Sequence, residues 1–227
     1  VAERRATVSS VRGFAQIAYE NGEDNVGARH AVLAARPDHF RLEVLSPFGA
    51  LAVVACDGRE LVVYARRENA MYRGPASAAS VGAYTAVPIA VTDVVAILLG
   101  TPPERTASGP ATVARDEAAG RIRLSLPVAG GRQDIWFAPD SLLPVASETP
   151  LPDGRTLRVD FDDYRSLAQT TFPYHIAMRA EPSNRAVRVD YASPTLNSAV
   201  DAALFALPPR SGTKELVIDA YTPGGES

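Results

Sequence analysis

The feature that most constrains this chain is the short interval at which turn-forming residues interrupt it. Asn21-Gly22, Pro37-Asp38, Asp57-Gly58, Gly130-Gly131 and Asp153-Gly154 each separate two runs of alternating character. Such pairs either accept positive φ or preset a turn, so each marks a place where an extended chain can reverse. Between them the pattern has period two. Phe40, Leu42 and Val44 fall on one face of a strand and Arg41 and Glu43 on the other, while Leu157, Val159 and Phe161 repeat the pattern downstream. A chain of eleven to thirteen such runs, closely spaced, is predicted to form an antiparallel all-β sandwich or barrel.

The stretch from Phe40 to Pro103 departs from that rhythm in three informative ways. Residues 51–56 (Leu51-Ala52-Val53-Val54-Ala55-Cys56) are apolar on both faces, so something must cover that strand on both sides. The turn Ser46-Pro47-Phe48-Gly49 carries an aromatic ring where polar residues are the rule. An exposed ring there would touch lipid, an acyl chain or a partner; the other reading folds it back under its own hairpin. Finally, Thr92 to Leu99 reads as a short helix that is apolar around nearly its whole circumference, with Thr92 as N-cap, Asp93 near the positive end and Gly100 at a left-handed C′ position. Such a helix is either core packing or the lid of an apolar pocket. Trp136 carries the same two readings, core filler or cavity lining.

Composition narrows the function classes. The 227 residues carry a net charge of −3, which provides no basic field for nucleic acid. Cys56 stands alone, so no intramolecular disulfide or thiolate metal cluster is expected. His30, His39 and His175 lack metal-ligand spacing, and Asp162-Asp163 reads as a solvated strand end rather than a metal site. No nucleophile elbow, P-loop, dinucleotide fingerprint or zinc-protease motif occurs. These readings predict no cofactor, no metal and no enzymatic activity. No apolar run approaches the roughly 20 residues that a helical membrane span requires. The sequence opens at Val1, and a secretory or lipoprotein signal upstream of it is one expectation.

Two segments resemble a known family. Leu45-Ser46-Pro47-Phe48-Gly49 followed by a long hairpin is similar to the Asn-Pro-Leu-Gly turn of LolB, the outer-membrane receptor for lipoproteins. Val87-Pro88-Ile89-Ala90-Val91 through Ile97-Leu98-Leu99-Gly100-Thr101-Pro102 resembles the apolar helix of the same family, in the same order and at similar spacing. Tyr191 and then Leu204-Phe205-Ala206-Leu207-Pro208-Pro209 look like the end of the periplasmic carrier LolA.

The resemblance implies a mainly β fold with a few helices: an incomplete, curved antiparallel barrel of about eleven strands, its open side covered by helices. It implies an apolar cavity holding lipoprotein acyl chains or lipid. Phe40, Leu42, Val44, Val94, Ile97, Leu98, Ile122, Leu124 and Trp136 are the expected lining, with Pro47, Phe48 and Gly49 as the turn that enters a bilayer. The partners so implied are a periplasmic carrier protein and the outer-membrane surface. The protein itself is expected to be a monomer in the periplasm, tethered by an N-terminal lipid outside this sequence. Residues 1–209 are expected to form one domain and 210–227 a tail. A second reading keeps the fold but fills the core, making the chain a structural or interaction protein of the cell envelope with Phe48 as a docking knob.

Overall fold

The computed structural model describes residues 7–21, 24–85, 87–167, 169–182 and 185–218. The turn residue Gly22, the opening residues 1–6, Ser183-Asn184 and the Gly-Gly terminus, on which parts of the sequence reading fell, lie outside the described residues.

The alternating runs pair into one mainly antiparallel sheet. The first half comprises β1 (Ser10–Asn21), β2 (Asp24–Ala35), β3 (His39–Ser46), β4 (Gly49–Asp57), β5 (Glu60–Ala65) and β6 (Ala70–Pro75). The second comprises β7 (Thr112–Asp116), β8 (Arg121–Val128), β9 (Gly131–Phe137), β10 (Pro144–Pro150), β11 (Thr156–Leu167), β12 (Thr170–Glu181) and β13 (Arg185–Tyr191). Two short strands complete it: β14 (Thr195–Leu196), which pairs with β1, and β15 (Lys214–Val217). The halves join where β1 pairs with β13, from Ala15↔Tyr191 to Asn21↔Arg185. The order runs from β15 and β6 at one end to β8 and β7 at the other, and the two ends do not pair. The sheet is therefore curved and open. Fifteen strands, not about eleven, are found among the described residues.

This topology dictates where the helices go. β6 lies near one edge and β7 forms the other, so residues 76–111 must cross a face of the sheet to connect them. They do so as α1 (Ala78–Thr85) and α2 (Val91–Leu98). The C-terminus of α2 closes as a Schellman motif: the Thr101 amide donates to the Ala96 carbonyl (3.0 Å) and the Gly100 amide to Ile97 (2.9 Å). Gly100 has φ +67°, and a Cβ there would lie 2.6 Å from the Pro173 ring, so both backbone and space require glycine. The N-terminus differs from the sequence expectation. Ala90 is the N-cap with no side-chain cap, and Thr92 lies inside the helix. Asp93, 2 % exposed, is held by Arg105 through two hydrogen bonds of 2.8 and 2.7 Å.

Strand β4 is covered on both sides, which explains its unbroken apolar run. Cys56 and Val54 face the main core beneath the helices, with Phe40, Leu61 and Ile97. Val53 and Ala55 face the other way and pack with Val62, Met71 and Leu207 in a second cluster. The cover on that outer side is the chain after the 3₁₀ turn η1 (Ala202–Phe205), fixed by Arg41 donating to the Leu204 carbonyl (2.9 Å) and Arg73 to that of Leu207 (2.8 Å). The segment after Pro209 is not wholly a tail. Lys214–Val217 adds to β6 as the one parallel pairing among the described strands, and Ile218 is buried in the main core.

Candidate functional site

Strands β3 to β5 send Phe40, Leu42, Val54 and Leu61 inward, because the period-two pattern puts every second residue on the helix-covered face. Across the β1–β13 seam the same face carries Ile17, Val187, Val189 and, from β12, Met178. Above them lie Val81, Tyr84 and Thr85 of α1, Ile89 of the linker, and Val94, Ile97 and Leu98 of α2. Between floor and roof is a cavity of about 180 Å³ whose wall is apolar. The Thr85 hydroxyl is satisfied locally, its Oγ1 lying 2.9 Å from the backbone oxygens of both Val81 and Val87. Tyr84 is 45 % exposed, so the wall reaches the surface there. A much smaller void, about 10 Å³, adjoins the cavity and shares Thr85, Met178 and Val187 with it. The roof is fastened at one point by Tyr191, whose buried hydroxyl donates to the Leu98 carbonyl (2.9 Å); burial drives that phenol far above its ordinary pKa.

The Ser46–Gly49 turn stands apart from this cavity. Leu42 lines the wall, and Ser46 is four residues further along β3, roughly 13 Å at about 3.3 Å per residue. The turn backbone is braced. Ser46 Oγ donates to the Gly49 carbonyl (2.7 Å), Arg66 Nη1 donates to the Phe48 carbonyl (2.6 Å), and Gly49 adopts φ +100°. Pro47 and Gly49 are exposed and the Phe48 ring is 85 % exposed, so the ring is not folded under its hairpin.

Neither the protein-family models nor the curated proteins yield a match to this sequence. Solved structures do. A domain described as an outer membrane lipoprotein-sorting protein from Vibrio parahaemolyticus superposes with a TM-score of 0.63 at 10 % identity, covering 90 % of this chain and 93 % of that one. A DUF1329 family protein from Desulfovibrio piger gives 0.61 at 12 % identity, over 90 % and 92 % of the two chains. A LolA superfamily protein from Nitrosomonas europaea gives 0.59 at 14 % identity, over 90 % and 95 %. The chain has a LolA-like fold.

Within that LolA-like fold the residues singled out by sequence divide into groups. Phe40, Leu42, Val94, Ile97 and Leu98 come together on the cavity wall. Val44 shares their face but is half-buried beyond the lining, where β3 meets a bulge before Leu45. Leu124 lies on β8 and faces a different cleft, of about 350 Å³, on the far side of α2 beside Thr92, Asp93 and Ala96. Ile122, its neighbour on the same strand face, is half-buried and also away from the cavity. Trp136 is on the opposite face altogether. Ile135 points inward, so alternation turns Trp136 outward, where its Nε1 donates to Asp116 (3.1 Å) and Arg158 sits 5.8 Å from the ring.

The sequence reading missed Val54 and Leu61 of β4 and β5, Val81, Tyr84, Thr85 and Ile89 of α1 and the linker, and the β1, β12 and β13 contributors Ile17, Met178, Val187 and Val189. The alternation of Val187, Val189 and Tyr191 was a usable signal, since it marks that face of β13 as the buried one. What it could not show was that β13 lies beside β1. No helix among the described residues is long and apolar enough to cross a membrane.

Proposed function

We propose that this protein binds acyl chains, of lipoproteins or free lipids, in the cavity beneath α1 and α2, without catalysing a reaction, and works in the periplasm at the outer membrane. The observation that carries the reading is the apolar wall of that cavity, with five aliphatic residues on the two covering helices or their linker: Val81, Ile89, Val94, Ile97 and Leu98. Its lining can reward hydrocarbon through burial alone. About ten methylenes at ~0.8 kcal/mol each supply roughly 8 kcal/mol, with little discrimination between chains. The fold likeness to lipoprotein-sorting domains supports the same reading.

The volume adds a condition. Pockets for small ligands span roughly 300–1,000 Å³, whereas this one holds about 180 Å³. Loading a long chain therefore requires α1 and α2 to move off the sheet, with Tyr84 at the opening and Tyr191 as the contact to be released. Phe48 is the element that meets the bilayer. Its ring contributes at most about 1.5–3 kcal/mol on burial, enough to orient the protein at a membrane and too little to anchor it.

Phe48→Glu tests this division of labour. The ring is 85 % exposed, so the variant is expected to melt with the wild type. Acyl binding in solution is expected to be unchanged, while transfer of an acylated cargo to liposomes falls severalfold. Undiminished transfer would remove Phe48 from the mechanism. The small volume also favours the second reading, an envelope interaction protein with a filled core and Phe48 as its docking contact. That reading predicts no saturable acyl binding at all.

A further inference from the structure

On the outer face of the sheet, away from the helices, a groove of about 330 Å³ runs over β1, β2 and β3 and is walled by η1. Its apolar part is Phe14, Ala31, Leu33 and Leu204, of which Phe14 and Leu204 are 38 % and 43 % exposed. Arg12 and Phe14 project on the same face of β1, two residues apart, and Arg29 from β2 stacks on the ring at 4.7 Å.

Ten of the described arginines sit on a carboxylate, as in Arg73–Glu60, Arg105–Asp93, Arg155–Asp153 and Arg158–Asp160. Arg41, at the groove wall, follows suit with Glu43 at 2.6 Å. Arg12 and Arg29 have no carboxylate partner among the described residues. The acidic group in the row of Arg29, Asp190, lies across Gln16 and is held by His175 at 2.6 Å, and the groove's own carboxylate, Glu43, is held by Arg41. A protein of net charge −3 thus places two guanidinium groups, neither with a carboxylate partner among the described residues, on either side of one exposed aromatic ring. Guanidinium groups match phosphate and carboxylate oxygens geometrically, and the ring beside them offers an apolar seat.

We infer that this groove binds a small amphiphilic oxyanion, a phosphate or carboxylate attached to a short apolar group. The oxyanion lies between Arg12 and Arg29, and the apolar group rests on Phe14 and Leu204. The site is independent of the acyl cavity, because the two occupy opposite faces of the sheet and share no residue.

The test is a titration of the full chain with phenyl phosphate, followed by amide NMR, with inorganic phosphate, benzyl alcohol and phosphatidylglycerol vesicles as separate arms. Saturable shifts are expected at Phe14, Ala31 and Leu33, weakened by added salt. Arg12→Gln combined with Arg29→Gln is expected to reduce affinity about tenfold or more, since a hydrogen bond to a charged group contributes about 1.5–3 kcal/mol. Both arginines are exposed, so the melting temperature should hold. Phe48→Glu and Val54→Phe are expected to leave this binding intact. No saturable shift, or equal affinity in the double variant, overturns the site. Equal affinity for inorganic phosphate overturns the role of Phe14 and Leu204. Binding to the vesicles alone would replace the small ligand with a membrane surface.

Discussion

Filling the cavity from the sheet side makes stability and binding move in opposite directions. Val54 projects into the space from the centre of β4 and is half-buried, and phenylalanine is as good a strand residue as valine. An empty void costs roughly 24 cal/mol per Å³, so about 180 Å³ represents about 4 kcal/mol that the fold forgoes. Water entering near Tyr84 lowers that figure. Val54→Phe fills part of the space and is expected to recover about 1–2 kcal/mol. For a chain of this size that is a rise of roughly 2–8 °C in melting temperature. A packed interior gives the reverse sign, because a larger side chain forced into it costs about 1–3 kcal/mol. The assay pairs a thermal melt with displacement of a fluorescent fatty acid. A higher melting temperature with binding weakened tenfold or more is the expected result. A lower melting temperature with binding unchanged would refute both the void and its role.

Two further predictions concern what holds the fold around that cavity. Arg105→Met leaves the Asp93 carboxylate buried at the start of α2 without its cation, and breaking such a pair costs about 3–5 kcal/mol; a matching drop in the denaturant-derived unfolding free energy is expected, and a change under 1 kcal/mol would mean that the pair does not secure α2. Asp57 caps the β4–β5 turn by accepting from the Glu60 and Arg59 amides (2.8 and 2.9 Å), and these hydrogen bonds hold its carboxyl below the usual carboxylate range. Its folded pKa is depressed, so its contribution is present above about pH 4 and is lost as pH falls through the folded value. Asp57→Asn is expected to flatten the acid limb of the stability curve, and an unaltered limb would rule out this contribution.

The strands were legible because alternation and turn chemistry are local. Leu157, Val159 and Phe161 are all buried at 2 % exposure or less, as their spacing requires. Gly100 was legible for the same reason, since a left-handed residue after an apolar run leaves few choices. The doubled apolar face of β4 announced that two covers were needed. Its sequence did not reveal that one is the helix pair and the other the chain around Leu207, because both covers come from far along the chain. Strand β15 escaped notice since Lys214–Val217 is short and exposed, and its pairing with β6 is a tertiary event. Trp136 was misplaced by reading size as a sign of burial. The parity of the strand, fixed by Ile135, decides its side. The candidate site was one third visible: β3 and α2 gave five of its fifteen residues, and no local pattern shows that the β1–β13 seam closes the rest of its floor.

The central claim is that the space beneath α1 and α2 accepts hydrocarbon. Titration of the wild-type chain with a fluorescent fatty acid, with unlabelled palmitate as competitor, tests it most directly. One saturable site per chain that palmitate empties is the predicted result. A linear, non-saturating signal that palmitate leaves unchanged would contradict it.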